Sequence, residues 1–136
     1  MLAEGSPMSD AAAQFANAKY FSLETFRKTG VGVRTPVWFA EDPAPASGRP
    51  TYYVYSVPDS GKVKRVRNNA HVRINPCSMR GDLRGAWVDA QARLCAAEEA
   101  EKGQTLLADK YLMKRIGDFF SRLRGRVQCV LAVEIA

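Results

Sequence analysis

The chain has 136 residues, of which 46% are hydrophobic and 25% charged, enough apolar material for one core and too much for a disordered polypeptide. A net charge of +6 and a pI near 9.5 favour anionic partners. They raise nucleic acid, a phosphorylated cofactor and an acidic membrane surface together, without choosing among them.

The opening residues carry an acid at Glu4, no basic leader and no sustained apolar run. A single domain over 1–136 in the cytoplasm is therefore expected, with no membrane span. Cys77, Cys95 and Cys129 are odd in number and widely spaced, so they read as small buried or half-buried thiols and not as a disulfide framework or a metal site.

Ser9 is a good N-cap for the Ala-rich run "SDAAAQFANAKY", which predicts an N-terminal arm and short helix over 1–18. "YFSLETF" then alternates Phe21, Leu23 and Thr25 against Ser22, Glu24 and Phe26. After a turn at Thr29–Gly30, "VGVRTPVWF" places Val31, Val33, Thr35, Val37 and Phe39 on one face, so the two runs form a hairpin. "EDPAPASGRP" is a surface loop, and "TYYVYSV" is the third strand.

In "SGKVKRVRNN", Val63, Val66 and Ala70 make a narrow apolar stripe on a short helix that begins after Ser60. "HVRINPCS" and "AWVDAQARL" return to period two, with Val72 and Ile74 inward in the first and Ala86, Val88, Ala90, Ala92 and Leu94 inward in the second. "CSMRGDLRG" turns between them. The pattern over 96–124 is helical, with Leu107, Tyr111, Leu112, Ile116, Phe119, Phe120 and Leu123 recurring and with Gly103 and Gly117 expected to interrupt it. "RVQCVLAVEI" closes the chain as a sixth strand, with Val127, Cys129, Leu131, Val133 and Ile135 on one face. Six short strands with flanking helices make a mainly β (α+β) chain and suggest a closed or partly closed antiparallel barrel. Val130 and Ala132 are apolar on the outer face of the last strand, so a second subunit is expected to cover them.

Two local features do not follow from folding alone. Lys62 stands in a helix's first turn, where the dipole opposes a cation; either it meets a phosphate with Ser60 and the Gly61 backbone, or its stem snorkels over the barrel. Pro36 interrupts a strand, which confines that position to an edge, a bulge or a place where a ligand meets the backbone. The cluster Lys62, Lys64, Arg65 and Arg67 would suit nucleic acid only with an exposed aromatic platform, for which the tyrosines of "TYYVYSV" are the candidates. His71, the only histidine, starts a strand and reads as a local hydrogen-bonding group.

The order "TPVWF", a strand, "SGKVKRVRNNAHV", then "GAWVDAQARL" resembles the pyridoxamine-5′-phosphate-oxidase-like superfamily of split β-barrels, in its flavin- and deazaflavin-dependent oxidoreductase branch. The similarity extends from about Lys19 to Leu94 and more weakly through the last strand. The resemblance implies an FMN-binding split barrel and a homodimer with cofactor at the subunit interface, the cofactor being the deazaflavin coenzyme F-420 or FMN. It further implies that Thr35, Pro36 and Val37 meet the ring, and that Ser60, Gly61, Lys62 and Lys64 hold the phosphate with Tyr55 and Ser56 beside them. Trp38 and Trp87 would border the ring or the dimer seam, or be structural. No catalytic side chain and no metal ligand is indicated. The expected function is an oxidoreductase that moves hydride to or from a small conjugated substrate; the alternatives are a non-catalytic carrier or sensor of the same cofactor and, third, a nucleic-acid-binding module.

Overall fold

The computed structural model of the chain describes residues 11–111 and 129–136. The expected cap at Ser9, the apolar positions Leu112, Ile116, Phe119, Phe120 and Leu123, the break at Gly117 and the strand residue Val127 lie outside the described residues. A helical turn at 11–13 leads Phe15 into the core, where it is 2% exposed. The strands are β1 (Tyr20–Phe26), β2 (Gly32–Trp38), β3 (Ala40–Glu41), β4 (Thr51–Ser56), β5 (His71–Cys77), β6 (Val88–Leu94) and β7 (Cys129–Ile135). The helices are α1 (Gly61–Asn68) and α2 (Ala97–Tyr111).

All strand pairs are antiparallel, in the order β2-β1-β5-β6-β7-β4-β3. The two ends of this sheet are one stretch of chain: β2 pairs with β1, the chain passes Phe39, and β3 pairs with β4. That crossover curls the sheet into a split barrel, and it accounts for seven strands where six were expected. The expected second strand ends at Trp38, and Ala40–Glu41, beyond its expected end at Phe39, forms the additional strand β3.

The barrel interior is filled from alternate positions of the strands. Phe21 and Leu23, Val72 and Ile74, Ala90 and Ala92, and Leu131 and Val133 join Phe15, Phe39, Tyr52 and Val54 in one cluster. The expected inward faces hold in β1, β5 and β7 and fail where a strand leaves the barrel. Val31 is 56% exposed, because the tip of the β1–β2 hairpin projects past the core, and Ala86 is exposed before β6 begins. Gly30 closes that hairpin with φ +92°, a left-handed conformation that glycine adopts without steric cost.

Helix α1 is capped by Ser60, whose extended backbone (φ −66°, ψ 154°) and Oγ, accepting from Val63 N at 3.4 Å, form the predicted N-cap. Val63 and Val66 are buried; Ala70 lies beyond the helix and is exposed, so the stripe is shorter than expected.

Helix α2 corrects two expectations. Gly103 does not interrupt it: the helix runs unbroken through that position, and Gly103 is buried against the sheet with Leu107 and Tyr111 on the same face. A Cβ there would stand 2.9 Å from Val130 Cγ1 and 3.0 Å from Tyr53 Cγ, so glycine lets the helix backbone approach the strands. Val130 and Ala132 are therefore covered within the chain, by packing with Tyr53, Ala100 and Leu106, and give no argument for a second subunit. Tyr111 fastens the helix to the barrel crossover: its hydroxyl accepts from Phe39 N at 3.1 Å and donates to Lys19 O or Phe39 O.

Glu24, on the outer face of β1, is buried beneath two guanidinium groups, Arg34 Nε at 3.2 Å and Arg73 Nε at 2.6 Å. Among the described residues no helix is long and apolar enough to cross a membrane.

Candidate functional site

Where the chain leaves β2 for the crossover, the edge of the sheet, the end of β4 and the start of α1 enclose a cavity of about 300 Å³. It is lined by Tyr20, Val37, Trp38, Tyr55 and Lys62, with Pro36 and Met79 exposed at its rim.

Each wall has a local cause. Among the described residues strand β2 lies at an end of the sheet and pairs only with β1, which suits Pro36, a residue with no N–H to give to a second neighbour. Tyr20 enters because it stands opposite Trp38 in the β1–β2 register. Met79 is carried to the rim, 69% exposed, by the turn Ser78–Gly81, which Gly81 closes with φ +95° and an N–H donated to Ser78 O at 2.9 Å. Lys62 arrives because Val63 is drawn into the core and the preceding residue must then face the end of β4.

The nine residues singled out from the sequence divide accordingly. Pro36, Val37, Tyr55 and Lys62 share the cavity. Thr35 and Ser56 are their chain neighbours. Ser56 is buried, and its Oγ has no hydrogen-bond partner among the described residues. Ser60 directs its hydroxyl to Val63 N as the cap, while Gly61 and Lys64 are exposed and outside the cavity lining. The first turn of α1 leaves the N–H groups of Gly61 and Lys62 without intrahelical acceptors, as every helix start does. Of the two tryptophans, Trp38 lines the cavity; Trp87 lies instead under Arg34 and Arg73, with guanidinium carbons 4.7 and 4.8 Å from its ring centroid. Tyr20 and Met79 were not singled out, since one is placed by cross-strand register and the other by a loop outside the elements that carry the motifs, neither of which is a local signal.

The electrostatics of the site are one-signed. Lys62 is half-buried and makes no ion pair among the described residues, whereas Arg34 and Arg73 with Glu24, Arg93 with Glu99, and Lys102 with Asp42 are all paired. Burial draws the Lys62 ammonium below the usual lysine range; the Cys129 thiol opposes that shift, and Arg65 adds to it. Burial likewise raises the Cys129 thiol against the pull of Arg67 and Lys62. A partly desolvated cation at a helix N-terminus is chemistry that an anion such as a phosphate would complete. The rest of the cavity, Pro36, Val37, Trp38 and the tyrosine rings, suits a flat apolar body.

Two other expectations are located. Tyr52 and Tyr53 of "TYYVYSV" are buried, so they make no exposed platform for stacking bases, and Arg65 is tied to Thr25 Oγ1 at 2.6 Å. His71 Nε2 meets Asp89 Oδ1 at 3.0 Å and its ring stacks on Phe26, a local role at the start of β5.

No protein-family model matches the chain, and no curated protein matches it in sequence. Solved structures do share its fold. A putative pyridoxamine 5′-phosphate oxidase from Listeria innocua is 14% identical with a TM-score of 0.61, the match covering 94% of this chain and 92% of that one. The haem storage protein HutZ from Vibrio cholerae is 14% identical with a TM-score of 0.66, over 96% of this chain and 92% of the other. An F-420 reductase is 13% identical with a TM-score of 0.57, over 91% of each. The curled antiparallel sheet, its edge-to-edge crossover and these neighbours together give the chain the split-barrel fold of the pyridoxamine-5′-phosphate-oxidase-like proteins.

Proposed function

We propose that the cavity between β2, β4 and α1 binds FMN or the deazaflavin coenzyme F-420, and that the protein is a cytoplasmic oxidoreductase acting on a small conjugated substrate. The observation that carries this reading is the meeting of Lys62, a half-buried cation without a carboxylate partner among the described residues, with the Pro36–Trp38 edge in one cavity. Similarity of fold to an F-420 reductase and to a putative pyridoxamine 5′-phosphate oxidase supports the class of cofactor.

In this reading Lys62 and the N–H groups at the start of α1 hold the phosphate. The main chain of Thr35 to Val37 runs along the ring edge, and Trp38 and Tyr55 border the ring and keep water from it. When bound, the tricyclic ring supplies hydride transfer, so the chain needs to contribute only anchoring, orientation and access.

A ligand site commonly buries about 70–90% of its ligand. This cavity has an exposed rim at Pro36 and Met79, so one chain gives a single-sided cleft. A homodimer in which a second copy closes the cleft completes the proposal.

Reconstitution tests it. The protein is mixed with FMN or F-420, freed of unbound ligand and assayed by absorbance, then reduced and offered menadione as acceptor. Retention with turnover is the expected result. Retention without turnover would turn the reading to a carrier or sensor, and no retention of either cofactor would refute it.

A further inference from the structure

A second cavity, of about 360 Å³, adjoins the first and shares Tyr20 and Met79 with it as a common wall. Its other side is formed by Asn17 and Lys19 from the segment before β1, and by Cys77 and Arg84 from the two ends of the β5–β6 turn. The two cavities are thus halves of one trough, divided by a tyrosine ring and a methionine side chain.

The charges along this trough are arranged differently from those elsewhere in the fold. Among the described residues no acidic side chain lines either half. Neither Lys19 nor Arg84 makes an ion pair among the described residues, although the arginines around Glu24 and Glu99 do. The backbones of both are fixed: Lys19 O accepts from Tyr111 Oη, and Arg84 N donates to Pro76 O at 2.8 Å. Burial raises the Cys77 thiol; Arg84 opposes that rise and Asp82 adds to it.

We propose that this second cavity is a binding site for a small organic anion, a carboxylate carried on an apolar body, with Lys19 and Arg84 recognising the charge and Tyr20 and Met79 contacting the body. A volume of this size lies at the lower end of the range for ligand pockets. Its position across Tyr20 and Met79 from the first cavity makes it the seat of the electron acceptor, an assignment that rests on the redox reading of that cavity. The anion site itself does not.

The test uses benzoate as probe, benzamide as its uncharged counterpart, and protein labelled with ¹³C at the methionine methyl groups, the Met79 signal being assigned with Met79→Leu. Benzoate is expected to shift the Met79 methyl saturably, and benzamide to bind at least about tenfold more weakly. Lys19→Gln and Arg84→Gln should each weaken benzoate by about three- to tenfold, as for a charge-assisted contact in a partly exposed site. Arg80→Gln, a neighbouring cation outside the lining, should leave it unchanged. An unmoved Met79 signal, equal binding of benzamide, or an equal loss in Arg80→Gln would overturn the proposal. FMN titration of the same samples separates the two readings: loss of FMN binding in Lys62→Gln with benzoate binding intact locates the phosphate in the first cavity and the carboxylate in the second. Loss of benzoate binding in Lys62→Gln would place the anion at the wrong end and overturn the assignment.

Discussion

Replacing Gly103 by alanine sets two effects of similar size against each other. In a helix interior, alanine is favoured over glycine by about 1 kcal/mol. Against this, the new methyl would stand 2.9 Å from Val130 Cγ1 and 3.0 Å from Tyr53 Cγ, closer than carbon atoms pack. Neither neighbour can withdraw: Val130 is 0% exposed, and Tyr53 is held through its hydroxyl to Asp42 Oδ2 at 3.2 Å and Glu99 Oε2 at 3.0 Å. Overpacking of a filled core costs about 1–3 kcal/mol, so Gly103→Ala should be destabilising by up to about 2 kcal/mol. For a chain of this size that lowers Tm by roughly 4–8 °C. Val130→Ala alone should cost about 2 kcal/mol through lost burial. The double variant should lose clearly less than the sum, because the second change removes the methyl that the first one strikes. Urea unfolding of the four proteins gives the cycle directly. A stabilised Gly103→Ala variant, or strict additivity, would refute the close approach of α2 to β7.

Tyr52 is wholly buried and its hydroxyl has no hydrogen-bond partner among the described residues, so Tyr52→Phe should be neutral or stabilising by up to about 1–2 kcal/mol in the same unfolding assay. Glu99 should contribute to acid stability. Its hydrogen bonds from Arg93 hold its carboxyl below the usual glutamate range against the opposing effect of burial, and Tyr53 assists. Its stabilisation is therefore complete above the unfolded value of about 4.3 and is lost as pH falls through the lower folded value. Thermal melts from pH 7 to pH 3 should fall less steeply below about pH 4.5 in Glu99→Gln than in the parent chain.

The strands were legible wherever both the period and the burial were local. "YFSLETF" and "HVRINPCS" show alternation that the barrel uses, and Ser60 with Val63 and Val66 is enough to start α1 and turn it toward the core. What was not legible depended on neighbours distant in sequence. Glycine at 103 looks like a helix breaker until Val130 and Tyr53 are placed against it. The apolar outer face of β7 looks like an interface until α2 covers it. Glu24 reads as a solvent-side residue, and its burial depends on arginines 10 and 49 positions away. The additional strand β3 follows from barrel closure, which no alternation of side chains records. At the candidate site, Pro36 and Lys62 stand out as residues in the wrong place for folding alone. Tyr20 and Met79 do not, since an aromatic at a strand start and a methionine in a turn are ordinary.

The central claim is that the cavity at Lys62 holds the phosphate of a flavin-type cofactor, and calorimetric titration tests it most directly. FMN and F-420 are titrated into the parent chain, Lys62→Ala and Arg67→Ala; Arg67 is an exposed cation of the same helix, outside the cavity lining. Loss of a charge-assisted contact of about 1.5–3 kcal/mol should weaken the bound cofactor by roughly ten- to a hundredfold in Lys62→Ala, with Arg67→Ala close to the parent and all three proteins folded alike. Equal affinities in the three proteins, or equal losses in the two variants, would contradict it.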